Sequence, residues 1–206
     1  MKIILVYFLI LCLSVTSIAQ EYDEPEPNQR EAGLNFIGLL TAYGATFKFG
    51  TTTNMWRVNS LFGTHSAVNS SQNDNAFLDQ ENRTNIQFSF GHEFRKAIEE
   101  NLEFRYGADI SFGVESSKET LKPNDDGFSG VNNRNKMEVG LNAVVGLNYV
   151  FNGKLVLGGE LLPGVRYFTE NIRNVPLENQ VNEGTNTGFN IDVRHQTFRL
   201  SLAYRF

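Results

Sequence analysis

Cysteine is all but absent: the one cysteine in 206 residues is Cys12, inside an apolar leader. The chain beyond that leader therefore has no disulfide and no thiol chemistry. Lipidation at Cys12 would want a small residue before it, whereas Leu11 precedes it and the apolar run continues. After residue 19 there is no long apolar run, which excludes a helical membrane protein. Basic stripes are missing and the formal charge is −5, so nucleic acid is not an expected partner. Histidine is scarce, with three in the chain, and there is no Gly-x-Ser-x-Gly elbow. A Ser/His/acid site needs a His beside a nucleophile and an orienting carboxylate. His65 and His195 fall on non-neighbouring strands near one rim, and His92 takes the apolar parity, so no enzyme is expected. Asn124-Asp125-Asp126-Gly127 lacks the spaced ligands and terminal Glu of a calcium loop, and neither a metal nor a cofactor is expected.

What is present begins with a leader. Lys2, the apolar run Ile3 to Leu13 and the small-x-small site Ser17-Ile18-Ala19 make residues 1–19 a secretory signal, too short in its apolar core to span a bilayer. Losing Lys2 takes the formal charge to about −6 and leaves roughly 187 residues, enough for one domain. Residues 20–31 carry Glu21, Asp23, Glu24, Glu26 and Glu31 with Pro25 and Pro27, which reads as a flexible lead-in that buries nothing. Residues 32–206 form the folded domain.

That domain alternates. Phe198, Leu200, Leu202, Tyr204 and Phe206 stand against Thr197, Arg199, Ser201, Ala203 and Arg205. Leu102 to Val114 stand against Glu103 to Glu115 with unbroken period two. Met137 to Phe151 repeats the pattern, as do Ile86, Phe88, Phe90 and Phe94 opposite Asn85, Gln87, Ser89, Gly91, Glu93 and Arg95. Trp56, Val58 and Phe62 oppose Arg57, Asn59, Gly63 and His65, and Leu155, Leu157, Leu161, Val165 and Tyr167 oppose Glu160 and Arg166. Pro163 marks a bulge or a break in pairing. Asn152-Gly153 is a two-residue hairpin turn, because both of its central positions need positive φ. Between Gly33 and Phe49 the apolar parity switches near Thr41-Ala42, through either a tight turn or a bulge; an even strand count favours the turn. Links at 50–54, 96–101 and 152–153 are short, whereas those at 70–82, 116–135 and 170–187 are long. In the last strand the outward parity fails at Gln196, so residues 188–195 either extend the barrel or flip through a bulge.

These features define an all-β, closed antiparallel up-and-down transmembrane β-barrel of eight strands, apolar side to lipid. Alternation alone does not say which parity faces in. The terminal Phe, the loop-length asymmetry and the glycine-rich polar face make the charged parity the inner one; the reverse would be a soluble lipocalin-like binder. A barrel of this size is just wide enough for its own side chains to fill. The inward parity then carries Lys48, Arg57, Glu93, Arg95, Glu103, Arg105, Asp109, Glu115, Glu138, Glu160, Arg166, Arg199 and Arg205. Charges of both signs in a lumen must pair. A lumen network of Arg57, Glu93, Glu103, Arg105, Asp109, Glu138, Glu160, Arg166 and Arg199 is expected, centred on Glu103, Arg105, Asp109, Glu138 and Glu160. Such a network implies a closed plug, with a structural or surface-recognition role left to the outer loops. A narrow porin-like conduit for ions or small polar solutes, an accessory subunit of an envelope complex and a membrane-embedded lipid enzyme are the alternatives.

The leader ending Ile18-Ala19-Gln20, the stretch Glu31-Ala32-Gly33-Leu34-Asn35-Phe36, the run Gly91-His92-Glu93-Phe94-Arg95 leading to Phe104-Arg105-Tyr106-Gly107-Ala108-Asp109, and the terminal Ala203-Tyr204-Arg205-Phe206 carry a resemblance. With them the chain resembles the small outer-membrane β-barrel proteins of Bacteroidetes-type bacteria, similar in architecture to OmpA/OmpX-type eight-stranded barrels. The resemblance implies an outer-membrane location with both chain ends periplasmic, in contact with outer-membrane lipid and lipopolysaccharide. It also implies that Tyr204 and Phe206 are the signal read by the barrel-assembly machinery. It brings no shared catalytic residue or ligand; any surface ligand or envelope partner would be met by the loops.

Overall fold

The computed structural model describes residues 27–37, 42–70, 78–122, 130–176, 181–192 and 198–206. The leader, His195 and the 124–127 turn lie outside these residues. Ten strands are formed among them: β1 (Gln29–Ile37), β2 (Ala42–Gly50), β3 (Asn54–Ser70), β4 (Leu78–Glu99), β5 (Leu102–Lys122), β6 (Gly130–Phe151), β7 (Leu155–Leu161), β8 (Gly164–Pro176), β9 (Asn182–Asp192) and β10 (Phe198–Arg205). β7 and β8 are two halves of one stave, since both pair with β6 in a single continuous register. β9 and β10 are likewise two halves of the last stave, pairing with β8 and β7 in turn. Eight staves result, all antiparallel to their neighbours. β10 pairs with β1 from Glu31↔Arg205 to Ile37↔Arg199, which closes the cylinder and removes the sheet edge. Arg30 N donates to Phe206 O (3.0 Å) and Phe206 N to Arg30 O (2.9 Å), so the seam reaches the last residue.

The alternation dictates which way the cylinder faces. Leu34, Val58, Phe90, Ile110, Leu141, Leu157 and Leu202 all project outward and exposed, while Arg57, Glu93, Arg105 and Asp109 are buried inside. A continuous apolar belt of this kind has no place on a water-soluble surface, where contiguous apolar patches are small. Aromatic rings border it. Towards the short turns run Trp56, His92, Phe94 and Tyr106, with centroids 4.8, 4.7 and 5.4 Å apart in succession. Nearer the other end sit the pairs Tyr43–Phe62 (5.8 Å) and Tyr167–Phe189 (5.2 Å). Two such bands are what interfacial girdles require.

The parity switch after Ile37 lies between two antiparallel strands and not within one, and residues 38–41 that link them lie outside the described residues. β1 and β2 form a hairpin with Ile37 opposite Ala42, and each strand has nine residues. Asn152 (φ 49°) and Gly153 (φ 69°) adopt the paired left-handed conformations expected of the tight hairpin, and Lys154 N donates to Phe151 O (3.0 Å). Pro163 breaks strand pairing without a register slip against β6; its carbonyl still accepts from Ala143 N (2.8 Å). The slip lies on the other side. Phe198 faces Leu161 whereas Asp192 faces Gly164, so the last stave spends five residues where its neighbour spends two. An odd surplus of three inverts parity. Phe189 and Ile191 therefore share the outer face with Phe198 and Leu200.

Three expectations are corrected. The stretches read as long loops at 116–135 and 170–187 are largely β-ladder, and so are both ends of 70–82: β3 and β4 pair up to Ser70↔Leu78, β5 and β6 up to Leu121↔Gly130, and β8 and β9 up to Asn174↔Asn182. The reason is that both faces of a hairpin standing above the lipid are wet, so its strands need no apolar parity. The short link at 96–101 is mostly strand too, with β4 running to Glu99 through an irregularity at Ala97/Glu99. The lead-in assigned to residues 20–31 ends early, because β1 starts at Gln29 and Glu31 is wholly buried. β2 pairs with β3 only as far as Gly63, and β9 pairs only with β8 among the described residues, so the tall wall is open on the side of the β1–β2 hairpin.

Candidate functional site

The lumen is the interior that closure of the cylinder builds, and its chemistry follows from the inward parity. Arg57 is its hub. From β3 it reaches across the lumen to Glu160 on β7, four staves away and so diametrically opposite, with Nη1 donating to Oε2 (2.8 Å) and Nη2 to Oε1 (2.9 Å). The same Nη1 meets Glu93 Oε2 at 3.0 Å, and Nε lies 3.1 Å from Asp109 Oδ1. One guanidinium thus ties β3, β4, β5 and β7 together. The bidentate fork is what makes Arg rather than Lys suited to that position.

Glu93 is the counterpart hub. It accepts from Lys48 Nζ at 3.1 Å on both oxygens, from Arg57, from Arg95 (2.6 and 2.8 Å), and from Arg105 Nη1 at 3.4 Å. Towards the short-turn end Arg95 binds Glu31 with two bonds (2.6 and 2.8 Å), and Arg205 bridges Glu31 (2.8 Å) and Glu103 (2.8 and 2.9 Å). Arg105 Nη2 lies 3.0 Å from Glu160. Arg199 reaches Glu160 only at 3.5 Å. Among the described residues, the six cations Lys48, Arg57, Arg95, Arg105, Arg199 and Arg205 meet the five carboxylates Glu31, Glu93, Glu103, Asp109 and Glu160. Buried amides and hydroxyls fill the remaining space: Asn35 donates to Asn59 (3.3 Å), Asn59 to Ser89 (3.2 Å) and Asn142 to Ser111 (3.0 Å). Backbones crowd close behind them. A Cβ at Gly91 would collide with the Ala108 carbonyl and Asp109 Oδ1.

Of the residues expected in the network, Arg57, Glu93, Glu103, Arg105, Asp109, Glu160 and Arg199 are brought together. Glu138 and Arg166 are not in this cluster's core: they sit higher, where Arg166 Nη1 meets Glu138 at 3.2 Å and Lys136 meets it at 3.0 Å. The centre of the network is accordingly Arg57 and Glu93 rather than the strand-five to strand-seven group. Lys48, Arg95 and Arg205, read as inward but left out of the network, belong to it. Glu31 was missed altogether. Its signal was parity, since it alternates with Gly33 and Asn35, but its acidic neighbours made it look like part of the lead-in. Among the histidines, His92 packs in the outer girdle and His65 is exposed at the mouth of the lumen. No group of three or more potential metal ligands occurs among the described residues.

Above the plug the lumen opens into a vestibule of about 330 Å3 whose floor includes Arg199 and Asp109 and whose wall includes Asn85, Gln87, Asn142 and Arg166. A second, wider groove of about 560 Å3 lies higher, between the hairpins, lined by Asn133, Asn135, Asn171 and Arg173 among others.

A closed eight-stave cylinder with a lipid-type belt outside and paired charge inside defines the class: this is a transmembrane β-barrel. Among solved structures it is similar to a major outer membrane protein from Thermus thermophilus, with TM-score 0.50 and 12% identity over 88% of this chain and 100% of that one. It also matches Neisserial surface protein A, NspA, at TM-score 0.35 and 14% identity over 86% of this chain and 93% of that chain. At such identities the likeness is one of fold. No family model matches the sequence, and no curated protein matches it with significance.

Proposed function

We propose that the chain is a non-conducting, non-enzymatic outer-membrane barrel whose lumen is closed by a salt-bridged plug and whose tall hairpin wall is a surface for recognition. In this reading the short turns and both chain ends are periplasmic, the hairpins face outward, and the barrel belongs with the small Bacteroidetes-type outer-membrane barrels. One observation carries the closed lumen: Arg57 and Glu160 bridge its full diameter, bidentate and buried. An ion crossing that level would have to separate a pair for which breaking costs about 3–5 kcal/mol. The recognition role rests on the ladder that extends the barrel wall well above the belt, since binding on such proteins is carried by segments that a rigid scaffold holds. Tyr204 and Phe206 stand outward at the seam, where the assembly machinery would read them.

Reconstitution in planar bilayers tests the plug. No unitary conductance is expected from the wild-type barrel, and Arg57→Ala is expected to leak. Stable conductance in the wild type would replace this reading with the porin-like conduit. Fractionation with a heat-modifiability gel tests location and barrel together; a soluble periplasmic protein would overturn both.

A further inference from the structure

We propose that the vestibule above the plug binds a small oxyanion, a carboxylate or a phosphate, with Arg199 as its anchor. Arg199 lines the floor of the 330 Å3 cavity and is only 3% exposed. Neither its Nε nor its Nη1 has a hydrogen-bond acceptor among the described residues. Buried guanidinium N–H groups left in that condition are costly, and an anion would satisfy them. The carboxylate within ion-pair distance is that of Glu160 at 3.5 Å, and it is already engaged by Arg57 on both oxygens and by Arg105.

The charge count leads to the same place. Among the described residues the plug holds six cations against five carboxylates, and Arg199 is the cation with the weakest partner. The surplus positive charge therefore sits at the cavity floor. Asp109 shares that floor, with its Oδ1 3.1 Å from Arg57 Nε. Arg166 on the wall adds a second guanidinium above its Glu138 partner. Asn85, Gln87 and Asn142 supply amide groups of the kind that fix an oxyanion's orientation. The cavity lies at the small end of the usual range for ligand sites, which suits a compact anion rather than an extended chain.

The inference uses the closed lumen only as the source of the floor. Binding is read by spectroscopy and closure by conductance, so failure of one is distinguishable from failure of the other. The experiment is a titration of the full mature chain, 15N-labelled on arginine and refolded in micelles, with inorganic phosphate and with succinate. A saturable shift of one arginine Nε–H resonance is expected. Arg199→Met should lose that resonance and weaken binding at least about tenfold, as measured by calorimetry. Lys154→Met, on the exposed turn at the opposite end of the barrel, should bind like the wild type. Should Arg199→Met give no heat-modifiable barrel, Arg199→Lys, which keeps the charge facing Glu160, takes its place and should weaken binding by a smaller factor. A response to phosphatidic acid in the micelle without one to free phosphate would assign the same oxyanion site to a lipid headgroup. No saturable shift with any of these probes, or one that survives Arg199→Met unchanged, would overturn the proposal.

Discussion

Glu93→Gln isolates what the plug contributes to stability. The substitution keeps the shape of a fully buried side chain and removes its charge. Four cations touch this carboxylate, but the loss is not fourfold. Arg57 keeps Glu160 and Asp109, Arg95 keeps Glu31, and Arg105 keeps Glu160. Lys48 is different: among the described residues Glu93 is the only carboxylate within ion-pair distance of it, and its side chain is 4% exposed. One cation is therefore orphaned in the interior, and the expected cost is that of breaking one buried pair, about 3–5 kcal/mol. Removing Lys48 as well should recover most of it, because replacing a whole buried pair by groups of similar shape is often neutral. Urea unfolding from lipid vesicles, followed by the fraction of heat-modifiable band and extrapolated linearly, measures both variants. A shift below about 1 kcal/mol for Glu93→Gln, within the range of an exposed pair, would refute the argument. So would a Lys48→Met/Glu93→Gln double variant no more stable than the single one.

Two further substitutions test the outer face and the tight turn. Leu141 projects outward between Ile110 and Val165, in the middle of the belt. Leu141→Arg should cost about 2–4 kcal/mol in vesicles if that position is near the bilayer midplane; a change within about 0.5 kcal/mol, ordinary for a wet surface, would argue that water and not lipid meets this face. Gly153 holds φ at 69°, so Gly153→Val should destabilise the β6–β7 hairpin by about 1–2 kcal/mol. An unchanged unfolding midpoint would mean that the turn does not fix the register of these staves.

The sequence by itself determined the membrane-belt strands, the two parities of each and the turn at Asn152-Gly153, because period two and positive φ are properties of residues next to one another. It put Arg57, Glu93, Glu160 and Arg199 on the charged parity for the same reason, and the terminal Phe, the loop lengths and the glycine-rich polar face made that parity the inner one. It did not carry strand pairing into the hairpins, where polar ladders such as Asp79↔Leu121 to Asn82↔Lys118 have no apolar side to betray them. It also hid Glu31, whose acidic neighbours masked its alternation. Only the tertiary structure decided who pairs with whom. Arg57 and Glu160 are 103 residues apart, and Arg205 and Glu31 are 174 apart, so no local pattern relates them. Barrel closure does, by setting opposite staves within reach of one guanidinium. The same closure fixed the three-residue surplus in the last stave, and it left Arg199 facing the vestibule with less carboxylate than its charge requires.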